Sequence, residues 1–257
     1  MPAYTKDNIN YIDTKEKDYL ICKGPKDKSV VNFVLDKNTR LIDKSAFKKC
    51  NIDSIIIPEN LDYIDTFAFE KANITELLFS KKVTIKDFAF HEAVINNIFL
   101  NIKEIPKNCF LCATIKNIKL KNTVSIDSSA FEYAKIGSIE FPDTLTCISS
   151  SAFSNACFEK NILSLPESIK EIREDAFSGV KGIDRIILPN NLTYLSPNFL
   201  KAESCTKHIK IICNEETVKR FPFLESLNIE ITSIDYLLKT NKSFKEINAA
   251  FNKTQER

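Results

Sequence analysis

From residue 42 onward, short apolar runs and polar turns follow one another along the chain at a nearly constant interval. A phenylalanine preceded by a small residue returns at Phe47, Phe69, Phe90, Phe110, Phe131, Phe153 and Phe177, with gaps of 22, 21, 20, 21, 22 and 24 residues. Five residues before each stands an isoleucine: Ile42, Ile64, Ile85, Ile105, Ile126, Ile148 and Ile172. After each phenylalanine comes a short run that alternates with period two, as in SIIIP (54–58), ELLFS (76–80), NIFLN (97–101), NIKLK (117–121), SIEFP (138–142), LSLP (163–166) and RIILP (185–189). Period two is the signature of a half-buried strand. It turns Ile55 and Ile57, Leu77 and Phe79, Ile98 and Leu100, Ile118 and Leu120, Ile139 and Phe141, Leu163 and Leu165, and Ile186 and Leu188 toward the core. Proline follows four of these runs, at Pro58, Pro142, Pro166 and Pro189. Having no N–H, it ends a ladder, so each strand is expected to be about four residues long.

A repeat this short cannot bury enough apolar surface to order itself. Its neighbours must close the core, which makes the array one elongated solenoid despite a length of 257 residues. The stretches IDKSAFKKCNIDSIIIPENLDYI and IREDAFSGVKGIDRIILPNNLTYL resemble the BspA-like leucine-rich repeat family, whose pattern runs Ile-x-x-x-Ala-Phe, strand, Pro-x-x-Leu. The resemblance implies a leucine-rich-repeat solenoid of the repeat β/α class, a curved rod with a parallel β-sheet on its concave face. It also implies non-catalytic protein binding and adhesion at microbial surfaces. The opening NINYIDTKEKDYLICKGPKDKSVVNFVLDKNTRLI is similar to the family's N-terminal hairpin, in which two strands precede the first repeat. The expected organisation is an N-terminal capping hairpin over 1–29, about eight repeats over 30–215, and a C-terminal helical cap over 216–257.

The frame loosens toward the C-terminus. Five residues on from Leu195 stands Leu200, with Phe199 displaced by one, and ETVKRFPFLES, helix-like, precedes a strand NIEI. From Ser233 on, Ile234, Leu237, Leu238, Phe244, Ile247 and Phe251 have helical spacing, which predicts an amphipathic helix. That helix either folds over the end of the core or docks on a partner or a second copy.

A net charge of +2 from 36 basic and 34 acidic residues gives no field that would select nucleic acid or anionic lipid. No apolar stretch is long enough for a transmembrane helix, and the first residues lack the basic-then-apolar build of a signal peptide. As written the chain reads as cytoplasmic, and as cell-surface or secreted if it is a fragment. The eight cysteines follow no paired spacing and lean toward free thiols. Cys109 and Cys112 form a C-x-x-C, but Cys109 takes the small position held elsewhere by Ala46, Ala68, Ala89, Ala130, Ala152 and Ala176. Cys50 likewise takes the position of Ala72, Ala93, Ala113, Ala134 and Ala156, so both read as tight core residues without metal or redox work. HEAVI lacks a second histidine, and His91 reads as a solvated turn residue. Asp43, Asp65 and Asp127 read as turn residues with local hydrogen bonds. With four glycines there is no phosphate-cradling or dinucleotide loop, so no enzyme and no cofactor is expected.

What remains is surface. The outward residue at the middle of each strand forms a row: Val34, Ile56, Leu78, Phe99, Lys119, Glu140, Ser164 and Ile187. Its first half is apolar, and contiguous exposed apolar groups mark interaction sites. Ser54, Glu76, Asn97, Asn101 and Asn117 would give it a polar rim, and Phe67 and Phe88 a second ridge. The expected activity is binding of a protein or peptide on this face by a monomer, with a dimer through the C-terminal helix as the alternative. A structural spacer or self-assembling surface element without a specific ligand is the competing reading.

Overall fold

The computed structural model describes residues 3–14, 19–79, 81–201 and 208–231. Each repeat is one coil. A two-residue strand at the isoleucine leads into two tight turns, a second strand and a return loop, and successive coils pair in parallel. Ile95 is in register with Ile74 and Ile115, and Ile98 with Leu77 and Ile118. The fold is a β-solenoid of stacked parallel strands.

Its spine is aromatic. Phe47, Phe69, Phe90, Phe110, Phe131, Phe153 and Phe177 are all fully buried. Neighbouring rings lie 5.0–5.5 Å apart, with planes within 10° of parallel. Such pairs add about 0.5–1.5 kcal/mol to what burial alone contributes. Phe33 caps the N-terminal end of the column edge-on, 5.4 Å from Phe47. At the other end Phe177 N donates to the carbonyl of Phe199, a bond that in earlier coils goes to the small residue, as from Phe131 to Ala152. Phe199 therefore stands in the small slot and Leu200 in the aromatic one, as the five-residue count indicates, and both are buried.

The corner of each coil explains the small residues. Ala68 N donates to Asp65 O and Ala72 N to Phe69 O, which closes two successive turns. Each turn carries one residue in the left-handed region: Ser45, Phe67, Phe88, Asn108, Ser129, Ser151 and Asp175 in the first, and Lys49, Lys71, Glu92, Cys112, Tyr133 and Asn155 in the second, with φ between 55° and 61°. Gly179 holds the second place in its own coil at φ 67°. A side chain there is unfavourable by about 1–2 kcal/mol. It persists because the corners are bonded to one another: Phe69 N reaches Ala89 O (2.8 Å) and Lys71 N reaches His91 O (2.9 Å). Alternating left-handed residues also exclude a helix, so the repeats are strand and turn throughout and the expected β/α class gives way to an all-β coil.

Strand length also departs from expectation. Where proline follows, the strand ends two residues before it, as in Ser54–Ile56, Lys135–Glu140, Ile162–Ser164 and Arg185–Ile187. In two of the three coils without it the strand runs through the bend and extends to eight residues, Val94–Asn101 and Thr114–Lys121, while in the third it is the six-residue Asn73–Leu78. Proline breaks the other side of the solenoid once. Lys86, Asp127, Ser149 and Arg173 each donate N–H to the isoleucine carbonyl one coil back. Pro106 has no N–H to give Ile85. There the ladder divides into a six-stranded sheet ending at Thr84–Ile85 and a five-stranded sheet beginning at Glu104–Ile105.

At the N-terminus three strands, Ala3–Lys6, Ile9–Thr14 and Tyr19–Pro25, form an antiparallel meander, one strand more than the hairpin expected. The third pairs in parallel with Thr39–Ile42 and so joins the meander to the coils. At the C-terminal side, the α-helix found among the described residues is the six-residue Glu215–Arg220. Asn214 caps it by accepting from Thr217 N (2.7 Å), and a 3-10 turn, Pro222–Ser226, and a strand, Ile229–Ile231, follow. A helical cap is therefore not the character of this end as described: its strands Lys210–Cys213 and Ile229–Ile231 continue the parallel sheet. The amphipathic helix expected from Ser233 lies outside the described residues.

Candidate functional site

The second strand of each coil shows one side to the core and one to water. The inward set is buried or packed against the core throughout. On the outer side, register places Val34 beside Ile56, and Leu78 beside Phe99, which in turn adjoins Lys119. Val34, Ile56 and Leu78 are 54%, 61% and 53% exposed, whereas Phe99 is half-buried. The fold does not require them, because Lys119 and Glu140 occupy the same position two and three coils beyond Leu78 and are also exposed. The apolar character that returns at Ile187 is buried and adds nothing to the exposed patch.

Beside Leu78 the surface opens into a shallow notch lined by Ile57, Pro58, Glu59, Leu61, Leu78, Phe79, Lys81 and Val83. Lys81 bridges to Glu59 across it at 2.8 Å. Pattern alone does not single out this notch, because Ile57 and Phe79 count as inward positions.

The polar rim is a set of ladders. Asn117 Nδ2 donates to Asn97 Oδ1 (2.9 Å), and Ser138 Oγ donates to Asn117 Oδ1 (2.7 Å). Ser54 Oγ donates to Asn32 Oδ1 (2.6 Å) and Asn122 Nδ2 to Asn101 Oδ1 (2.9 Å). Part of the hydrogen-bonding capacity of these residues is already spent between coils. Glu76 is exposed and in register with Asn97. Lys119 pairs with Glu140 at 3.1 Å, with both side chains about 60% exposed.

Phe67 and Phe88 pack at 5.2 Å with planes inclined by 31°, at the corner of the coil and away from the row. Both are half-buried. His91, expected to be solvated, stands edge-on to both rings at 6.1 and 6.0 Å, and its side chain is only 21% exposed. Its Nδ1 is buried without a hydrogen-bond partner among the described residues, and its Nε2 is 3.5 Å from Glu92. The neighbouring Glu70 is nearly buried. Burial opposes its charge, yet the hydrogen bond from Lys48 (2.7 Å) holds its carboxyl below the usual range.

The residues considered for chemistry stay apart. Cys109 fills its small slot completely buried, and burial pushes its thiol far up; Cys112 sits exposed in the left-handed corner, its thiol raised by partial burial and by Glu92 and Glu132. Cys50 is buried in the other small slot. Among the described residues no three His, Cys, Asp or Glu side chains converge as a metal ion needs. Asp65 and Asp127 accept from the next backbone N–H, as turn residues do, whereas Asp43 is bonded to Lys23 on the third strand of the N-terminal meander. Among the described residues no helix is long and apolar enough to cross a membrane.

Known proteins add the following. The chain is similar over 81% of its length to a leucine-rich repeat protein from Bacteroides ovatus ATCC 8483, with 18% identity, 70% of that chain covered and a TM-score of 0.52, which shows a shared fold. More distant is a leucine rich cell surface protein from Faecalibacterium prausnitzii A2-165, with 13% identity, 97% of each chain covered and a TM-score of 0.40. The pneumococcal vaccine antigen PcpA is 12% identical over 90% of this chain and 97% of its own, with a TM-score of 0.34. None of the curated proteins matches. The model of the BspA type leucine rich repeat region matches residues 26–133 and 124–254, in six copies. With seven phenylalanines in one stack and a family model spanning most of its length, this chain belongs to the BspA-type leucine-rich repeat family.

Proposed function

We propose that the chain is a non-catalytic binding module that takes a protein or peptide on the concave side of a curved rod, in adhesion or host interaction. Residues 1–29 and 216–257 are its caps and 30–215 its repeats. The binding surface comprises Val34, Ile56, Leu78 and Phe99, rimmed by Glu76, Asn97, Asn101, Asn117 and Lys119. One observation carries this reading: three large apolar side chains, each more than half exposed, stand on consecutive coils where other coils carry Lys or Glu. Water-exposed apolar groups in a row gain nothing for folding and much for association. Family membership supports the reading, since these repeats resemble proteins whose work is mostly binding.

The test is a comparison of the wild-type chain with the Leu78→Asp/Phe99→Asp double variant in affinity capture, from the source organism's lysate and from surface extracts of its host. The variant should lose the captured partner while its far-ultraviolet circular dichroism stays unchanged. Equal recovery by a folded variant would remove the site.

A further inference from the structure

The outer face of the sheet changes character along the stacking axis. Up to Leu78 its exposed charges are acidic, Asp53 and Glu76, alongside the apolar row. On the strand Thr114–Lys121 they become basic: Lys116, Lys119 and Lys121 are all exposed there. Lys119 is held by Glu140 in an exposed pair, a contact worth about 0–1 kcal/mol that a competing carboxylate can displace. Lys116 and Lys121 have no carboxylate partner among the described residues. Phe99 lies one coil from Lys119 and Leu78 two, which at about 4.8 Å per strand puts the strand that carries the lysines within ~10 Å of the one that carries Leu78. A single short segment can touch both.

We propose that the partner segment is a peptide of apolar and acidic composition lying along the stacking axis, its apolar side chains on Leu78 and Phe99 and its carboxylates on Lys116, Lys119 and Lys121. This rests on the binding surface proposed above and adds its chemistry and its direction. A basic peptide fits poorly, since its cations would meet unpaired lysines. The acid side of the face lies at the opposite, N-terminal end, so the segment has one preferred polarity.

The experiment is selection of a displayed random dodecapeptide library on the folded, full-length chain, repeated on Lys116→Glu/Lys121→Glu and on Leu78→Asp/Phe99→Asp. Wild type should enrich peptides with an apolar cluster and two or more carboxylates. The enriched peptides, made synthetically, should bind the lysine variant about tenfold more weakly, the loss expected when two weak attractions turn repulsive, and should weaken with added salt. Enrichment without an acidic bias, lost on the Leu78→Asp/Phe99→Asp variant, would overturn this inference and leave the apolar site standing. Peptides recovered equally on that variant, or no enrichment at all, would count against both. Binding of a thymidine dodecanucleotide as tight as that of the best peptide would assign the lysines to phosphate and overturn the peptide assignment.

Discussion

Phe110 sits at the middle of the aromatic column, completely buried, with Phe90 and Phe131 each 5.1 Å away and nearly parallel. Replacing it with alanine removes the ring and leaves a hole that the stacked backbone ladders above and below resist closing. Truncations of this kind destabilise by about 3–5 kcal/mol, a large part of the roughly 5–15 kcal/mol typical of a whole domain. Phe110→Leu separates the contributions: it keeps most of the apolar burial and loses two ring pairs at about 0.5–1.5 kcal/mol each, so about 1–3 kcal/mol is expected. Urea unfolding followed by circular dichroism and extrapolated linearly to water measures both. A double-mutant cycle sharpens the test: Phe90→Leu with Phe110→Leu should couple, whereas Phe69→Leu with Phe110→Leu, two coils apart, should add. A loss below about 1 kcal/mol for Phe110→Ala, or equal coupling in the two cycles, would refute the idea that the column holds coil to coil by nearest-neighbour contact.

Other consequences follow from single residues. Glu167 accepts from Asn190 N (2.9 Å) and Nδ2 (3.0 Å), but burial dominates and raises its pKa above the ordinary 4.5. A raised carboxyl favours the folded state most below its unfolded value, and that contribution is lost as pH rises through the folded value. Stability of the wild type relative to Glu167→Gln should therefore decline as pH rises from about 4.5; chemical unfolding at a series of pH values that gives the opposite slope would contradict the assignment. In native-state alkylation read by mass spectrometry, Cys112 should label first among the described cysteines, while Cys22, with its thiol raised to about 12, and Cys109 and Cys213 stay protected. Labelling of Cys109 as fast as Cys112 would disprove the buried slot. Tyr133, left-handed at φ 56° and 55% exposed, should become more stable by about 0.5–1 kcal/mol as Tyr133→Gly, which matches Gly179 in its coil; a lower unfolding midpoint would show that the tyrosine ring matters more than its backbone.

The repeat, its core and its aromatic column are legible in the sequence because one side of every coil must be apolar at fixed spacing, and spacing survives when residue identity drifts. The small slot is legible for the same reason, and Cys109 fills it. The corners are not. Left-handed residues there include Lys71, Glu92, Tyr133 and Phe88, none of which signals such a conformation; coil-to-coil hydrogen bonding imposes it, and that bonding has no local signature. The same omission hides the burial of His91, which depends on Phe67 one coil earlier. Proline fixes where a strand ends but not how long it is, since Asn73–Leu78 without one and Lys135–Glu140 before Pro142 are both six residues, so the eight-residue strands were not legible. Of the surface, the exposed row is visible from alternation, whereas the notch beside Leu78 and the lysine strand after it depend on how adjacent coils overlap.

The missing N–H at Pro106 has a mechanical consequence. Across that boundary the two-residue strands of one wall are unpaired, while the corner stays bonded from Phe90 N to Cys109 O and the opposite wall through the strands Asn73–Leu78, Val94–Asn101 and Thr114–Lys121. A rod with one intact wall and one open seam bends like a book on its spine, and it does so between the greasy page and the cationic one. Strain from a ligand reaching over both would concentrate at that crease.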